Sequence, residues 1–136
     1  MSRSAARFTQ NIKNGIVCLS PDVCLTPRGS KNVPVPYMIV SKLDWSVRAV
    51  TNVTFCGEQA FTMDSRTRQV TGNEPGTGGG VQSGVNLGWC RPQSNKSNFF
   101  VNGQQIIQDD CIFEMNCAGP QGSSNTLGKL VIDDRC

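Results

Sequence analysis

The feature that most constrains the fold is a glycine-rich stretch in the middle of the chain, residues 72–103. Seven of the fourteen glycines lie between Gly72 and Gly88. An α-helix would lose about 1 kcal/mol for each interior glycine relative to alanine, so this stretch does not favour a helix. A P-loop needs Lys followed by Ser or Thr directly after its last glycine, whereas Gly80 is followed by Val81-Gln82. The pattern predicts backbone that bends tightly and passes close to other backbone.

The length and charge of the chain exclude several classes of protein. The 136 residues are predicted to form one domain, residues 16–136, preceded by a polar arm, residues 1–15. The formal net charge of +3 comes without a basic run, so a nucleic-acid partner is not expected. No apolar run approaches the roughly 20 residues of a membrane-spanning helix. The N-terminus also lacks the apolar centre of a signal peptide.

Short apolar segments separated by prolines and glycines predict a mainly β protein. Residues 15–19 form a short apolar segment, and residues 38–40 and 130–132 are predicted strands. Residues 33–37 are predicted to be extended, in the polyproline conformation, and residues 65–70 are the best short helical candidate. Regular helix is excluded between residues 21 and 36 by four prolines, which are Pro21, Pro27, Pro34 and Pro36.

Two stretches of sequence resemble each other at an offset of 46 residues, 52–64 and 98–110. Each contains an Asn, a Gly, a Gln and an Asp at matching positions, with similar apolar positions between them. Both are predicted to form a β-hairpin with a tight turn, at Gly57 in the first and at Asn102-Gly103 in the second. A compact domain with internal pseudo-symmetry is therefore expected.

Seven cysteines and no histidine leave three states for the thiols. Cys18 and Cys24 share a spacing with Cys111 and Cys117, and four such thiolates could form a tetrahedral zinc site. The same cysteines could instead form disulfides or remain buried thiols.

The absence of histidine excludes the usual Ser–His and Cys–His forms of catalysis. Asp109, Asp110 and Glu114 form an acidic group that is more typical of a solvated turn than of a hydrolase. Asp22 is interpreted as a turn or cap residue. The large apolar residues Trp45, Trp89, Phe99 and Phe100 are expected in the core, and the alternative is that an exposed subset of them forms a docking surface.

Several motifs, in this order along the chain, resemble the PAAR-like (Tox-PAAR-like) spike-tip family of contractile injection systems. They are SPDVCLTP at residues 20–27, VPVPY at 33–37, GNEPGTGGGVQSG at 72–84, FFVNG at 99–103 and Met115-Asn116. The residues that carry the resemblance are Pro21, Asp22, Cys24, Pro27, Pro34, Pro36, Tyr37, Gly57, Gly72, Glu74, Gly76, Gly79, Gly80, Gly84, Asn102, Gly103 and Asn116.

The resemblance implies both a fold and a function. Such proteins are small conical domains of short β-hairpins with pseudo-threefold symmetry and long loops. They cap the trimeric β-helical, VgrG-like spike of type VI secretion and related machines, one copy per trimer, and aid membrane puncture and effector delivery. The resemblance implies a structural protein rather than an enzyme. It also implies assembly in the bacterial cytoplasm, delivery by the machine, and a separate effector or adaptor as a further partner.

The chain departs from the family pattern in two respects. PAAR tips typically hold zinc through three histidines and one cysteine, whereas this sequence has Met115-Asn116 where a His-Asn pair is expected. A zinc ion would therefore depend on the cysteines alone. The 136 residues also include no second domain for a fused toxin. The alternative is a small secreted effector, or a cysteine–zinc interaction module, with a PAAR-like fold.

Overall fold

The computed structural model describes residues 15–47, 50–55, 58–94, 100–101, 103–107, 111–119 and 121–131. Within these residues the chain is mainly β, as predicted, and its one helical segment is a 3-10 turn, Leu43–Trp45. The strands are β1 Gly15–Cys18, β2 Asp22–Arg28, β3 Lys31–Tyr37, β4 Val40–Lys42, β5 Ser46–Val47, β6 Val50–Phe55, β7 Glu58–Ala60, β8 Arg66–Thr67, β9 Gly79–Gly80, β10 Trp89–Ser94, β11 Phe100–Val101, β12 Gln104–Gln105, β13 Ile112–Cys117 and β14 Thr126–Val131.

The largest sheet curls into a nearly closed barrel. Its strands are antiparallel and follow the order β4-β1-β14-β13-β10-β8-β5. β4 closes the barrel against the segment that follows β8, because Val40 and Thr71 exchange backbone hydrogen bonds of 3.0 and 2.8 Å. The hydroxyls of Ser41 and Thr67 also lie 2.7 Å apart across this junction. Closure pairs edge strands that would otherwise be exposed.

The barrel encloses the hydrophobic core. Phe61 and Phe113 are fully buried, and their rings lie 6.2 Å apart between centroids. The expected core aromatics lie elsewhere, since Trp45 and Trp89 are only half-buried and Phe100 is 61% exposed. The placement of Phe100 in the core was therefore wrong. Phe100 belongs to the two-stranded β11–β12 sheet, and Phe99 lies outside the described residues.

A long hairpin, β2–β3, forms a second sheet with β9 in the order β3-β2-β9. β2 and β3 pair along their whole length, from Asp22 opposite Tyr37 to Arg28 opposite Lys31. Residues 33–37 therefore lie in a sheet strand rather than in free polyproline conformation. The extended φ of proline suits either state, and Pro34 and Pro36 are tolerated because β3 is an edge strand.

The predicted hairpin repeat is confirmed down to its register. In β6–β7, Thr54 pairs with Gln59 and Phe55 with Glu58. In β11–β12 the pairs are Phe100 with Gln105 and Val101 with Gln104, which are the same positions shifted by 46 residues. Gly103 in the second turn has φ +81°, whereas Gly57 and Asn102 lie outside the described residues.

The two hairpins contact each other directly through their continuing chains. An antiparallel bridge joins Thr62 to Ile106, and the amide of Ile107 donates to the carbonyl of Phe61 at 3.0 Å. Phe61 and Ile107 are themselves separated by 46 residues, so the copies meet about a local two-fold axis. The threefold symmetry that the resemblance implies stays a prediction.

Three predicted elements differ in the structure. Residues 65–70 contain β8 instead of a helix, because Thr67 pairs with Cys90 on one side and Ser46 on the other. β4 starts only at Val40, and β14 starts at Thr126, earlier than residue 130. β1 starts at Gly15, while residues 1–14 of the predicted arm lie outside the description.

Among the described residues, no helix is long and apolar enough to cross a membrane.

Candidate functional site: a buried aspartate held by three asparagines

The first residue of β2, Asp22, carries a fully buried carboxylate. Its Oδ1 accepts a hydrogen bond from Asn125 Nδ2 at 2.6 Å. Its Oδ2 accepts from Asn73 Nδ2 at 2.7 Å, from Asn116 Nδ2 at 3.1 Å and from the thiol of Cys24 at 3.2 Å. We call these five residues the Asp22 cluster. All four of these donors are neutral groups, and three of them come from distant parts of the chain. Asp22 is therefore a buried acceptor of long-range hydrogen bonds and not the turn or cap residue that was expected.

The backbone fixes the orientation of two of these amides. Asn125 Oδ1 accepts from the amides of Gln82 at 2.8 Å and Ser83 at 3.2 Å. Asn116 Oδ1 accepts from the amide of Gly88 at 2.8 Å. Because both carbonyl oxygens face N–H groups, both NH₂ groups face Asp22. The cluster is therefore built to hold an anion, the Asp22 carboxylate itself.

The glycine-rich loop, residues 72–88, wraps around the Asp22 cluster at very close range. A Cβ at Gly80 would lie 2.3 Å from Cγ of Asn125, and one at Gly76 would lie 2.5 Å from Cβ of Cys24. Any side chain at either position would displace a member of the cluster. The glycines predicted to pass close to other backbone therefore pass close to these polar side chains as well.

Asn116, near the end of β13, combines two requirements in one residue. Its φ of +53° lies in the left-handed region, which Asn tolerates better than most residues. Its Nδ2 also donates to the carbonyl of Val85 at 3.0 Å, which ties β13 to the loop. The neighbouring Met115 is fully buried in the barrel core.

Two further signature residues stabilise the segments next to the cluster. The carboxylate of Glu74 accepts hydrogen bonds from the Thr71 hydroxyl and from the amide of Gly72, the latter at 2.9 Å. The bond from Thr71 is the main reason why the pKa of Glu74 is lowered. The Tyr37 hydroxyl lies 2.6 Å from Oγ1 of Thr26, across the β2–β3 pair. Of the signature prolines, Pro27 lies in β2, Pro34 and Pro36 lie in β3, and Pro21 immediately precedes β2.

The four cysteines of the expected zinc site do not fit one shared zinc ion. All four are described, yet no group of three or more Cys, Asp or Glu among the described residues is placed to hold a metal. Cys24 belongs to the Asp22 cluster, whereas Cys18 in β1 contacts Met38 and the amide of Ile39. Cys111 precedes β13, and Cys117 ends it.

The described cysteines are buried thiols, with no disulfide among them. Burial raises the pKa of Cys111 and Cys117 to about 12 and that of Cys90 to about 11. Burial also raises the pKa of Cys24 to about 12, with a further contribution from its hydrogen bond to Asp22. These four thiols stay protonated at neutral pH, and only the thiolate is a strong nucleophile or metal ligand. Cys56 and Cys136 lie outside the described residues.

The acidic group at residues 109–114 is described only at Glu114. Its carboxylate lies 2.6 Å from Nε of Arg91, an ion pair that joins β13 to β10. The hydrogen bond to Glu114 is the main reason why the pKa of Arg91 is raised. Arg91 also donates to the carbonyl of Gly122, so Glu114 has a structural role. Asp109 and Asp110 lie outside the described residues.

Two members of the cluster were not among the predicted site residues. Asn73 stands inside the GNEP motif, between Gly72 and Glu74, so a local signal was present. Asn125 follows two serines and offers no comparable signal. Asn73 and Asn125 lie 51 and 103 residues from Asp22, and only the folded chain shows that they converge.

Comparison with known proteins assigns the chain to a family. The model of the Toxin PAAR-like domain family matches residues 15–122. This match includes Asp22, Cys24, Asn73 and Asn116, and Asn125 lies just beyond it. Searches among curated proteins and among solved structures each found no match. Because the family model covers more than half of the chain, the chain belongs to the Toxin PAAR-like domain family.

Proposed function

We propose that this chain is a structural, non-enzymatic tip of a contractile injection machine of the type VI secretion class. One copy would cap the trimeric, VgrG-like β-helical spike, aid membrane puncture, and carry or recruit a separate effector or adaptor. It would assemble in the bacterial cytoplasm and leave with the machine. Membership of the PAAR-like family supports a role at the spike.

The observation that carries the proposal is the attachment of the glycine-rich loop to the barrel through Asp22. A loop of this length and glycine content loses much conformational entropy when it is ordered. The Asp22 cluster offsets that loss by joining β2, the loop, the end of β13 and the start of β14 at one buried carboxylate. A tip that meets mechanical load needs such loops to be held tightly.

Three carboxylates, those of Asp22, Glu74 and Glu114, have structural contacts that support a role without catalysis. Asp22 is fully buried beneath four donors, Glu114 is paired with Arg91, and Glu74 holds the turn at Gly72. Each of these groups stabilises the fold. The barrel and the long β2–β3 hairpin therefore fit a component whose task is mechanical.

Secretion of the spike protein tests the proposal. A strain that lacks this chain is expected to release much less spike protein into the medium, and wild-type chain is expected to restore release. The Asn32→Ala variant, changed on an exposed part of β3, is the matched control and should restore release fully. Undiminished release from the strain that lacks the chain would overturn the proposal.

A further inference from the structure

We propose that Cys18 and Met38 form a binding site for one soft monovalent cation, Cu(I) or its analogue Ag(I). The site is separate from the Asp22 cluster and does not depend on the proposed role at a spike. Sγ of Cys18 lies 4.0 Å from Sδ of Met38, a contact in which the thiol donates to the thioether. Two sulfur atoms that can act as ligands therefore already lie next to each other.

The chemistry of the two ligands selects the metal. A thiolate and a thioether are both soft ligands, which suit Cu(I). Binding replaces the proton of the Cys18 thiol: the S–H bond breaks, an S–metal bond forms, and one proton leaves to solvent. No electron is transferred, because the metal enters as a monovalent ion.

The distance between the sulfurs fits trigonal coordination. Metal–sulfur bonds of about 2.3 Å spanning the 4.0 Å gap give an S–metal–S angle of about 120°. Two protein ligands at that angle leave a third position for water or a small thiol from solution. The amide of Ile39 also donates to Sγ of Cys18 at 3.2 Å, which fixes the position of this sulfur beside Met38.

The exposure of the two residues gives the ion a path to the site. The Met38 side chain is 68% exposed, although methionine is usually buried, while Cys18 is only 8% exposed. An exposed residue thus supplies the thioether, and a nearly covered residue supplies the thiol. An ion can reach Met38 from solvent, and the Cys18 thiol lies 4.0 Å from the Met38 sulfur.

The test is a Cu(I) titration without oxygen, in competition with a chromophoric Cu(I) chelator. The starting protein carries Cys56→Ser and Cys136→Ser, which removes the two cysteines outside the described residues. We expect one Cu(I) per chain and loss of this binding in Cys18→Ser. Met38→Leu should weaken binding roughly tenfold or more through loss of a ligand, with the fold unchanged because the side chain is exposed.

Two further measurements separate coordination from an indirect effect. Met63→Leu, which changes a partly buried methionine of the core, is the matched control and should bind Cu(I) as the starting protein does. Addition of Ag(I) should shift the NMR signal of the Met38 methyl group selectively. Equal affinity in Met38→Leu, or an unshifted Met38 methyl signal with Ag(I) bound, would overturn the proposal.

Discussion

The side-chain amide of Asn125 lies 2.6 Å from the carboxylate of Asp22, although 103 residues separate the two along the chain. The same Asn125 amide also donates to the carbonyl of Val23 at 2.9 Å, and its oxygen accepts from the loop at Gln82. One side chain therefore fixes the start of β2 and the glycine-rich loop to the last strand of the barrel. The loop is an integral part of the fold through this contact.

Asp22→Asn should lower the free energy of unfolding by about 3 kcal/mol. The new side chain is close in size, but its NH₂ group faces amide donors that lose their acceptor. Urea denaturation measures the change, with the exposed Asn32→Ala as the control. A loss below about 1 kcal/mol would mean that the buried carboxylate contributes little net stability.

Two glycines of the loop should respond differently to alanine. Gly80→Ala places a Cβ against Asn125, so we expect a loss of about 3 kcal/mol, comparable to overpacking together with a broken hydrogen bond. Gly84→Ala meets no atom within 4 Å and bears only the strain of φ +76°, about 1–2 kcal/mol. Replacing Gly79 and Gly80 together with Val should abolish folding. Thermal denaturation of the three variants measures their order of stability. Equal losses of stability in Gly80→Ala and Gly84→Ala would contradict the prediction.

The left-handed backbone at Asn116 predicts that its glycine variant is more stable than its alanine variant. Asn116→Gly loses the amide contacts but keeps access to φ +53°, whereas Asn116→Ala loses the contacts and adds strain. The free energy of unfolding of Asn116→Ala should therefore be about 1 kcal/mol lower than that of Asn116→Gly. Within a strand, alanine is usually the more stabilising of the two residues. Equal stability, or a more stable alanine variant, would show that the left-handed backbone carries no strain.

The fold should lose stability at alkaline pH because its buried thiols have higher pKa values in the folded chain than in the unfolded chain. An unfolded thiol ionises near about pH 8.5, whereas the folded pKa values are about 11 for Cys90 and about 12 for Cys24, Cys111 and Cys117. A raised pKa gives stability that is complete below the unfolded value and is lost as pH rises towards the folded one. The slope should approach about 1.4 kcal/mol per pH unit for each thiol.

Urea denaturation at pH 8 and pH 10 measures this effect. Between pH 8 and pH 10, the Cys111→Ala variant should lose less free energy of unfolding than wild type, by the contribution of one thiol. The Asn32→Ala variant should lose as much as wild type. Identical losses in wild type and Cys111→Ala would show that the Cys111 thiol does not contribute.

The mainly β fold could be predicted because its signals are local. Glycines and prolines exclude long helices, and the repeat at 46 residues leads directly to two hairpins of equal register. The helix predicted at residues 65–70 was wrong because local preference yields to pairing on both sides of Thr67. Phe100 was misplaced for a related reason, since its sequence shows a strand but not which neighbour covers it.

The Asp22 cluster could be predicted only in part. The motifs around Asp22, Gly72–Glu74 and Asn116 were visible, but their meeting depends on contacts across 51 to 103 residues. Short polar residues such as Asn125 are common in turns, so nothing local marks the few that are buried. The pattern of four cysteines was visible too, but its spacing did not reflect proximity in the fold.

Native mass spectrometry of the chain, co-purified with the trimeric spike protein of the same machine, tests the assignment as a spike tip. We expect a complex whose mass equals three spike chains and one copy of this chain. The same complex should form with the Asn32→Ala variant and fail with Gly79 and Gly80 both replaced by Val. A well-folded chain that remains monomeric beside an intact spike trimer would contradict the assignment as a spike tip.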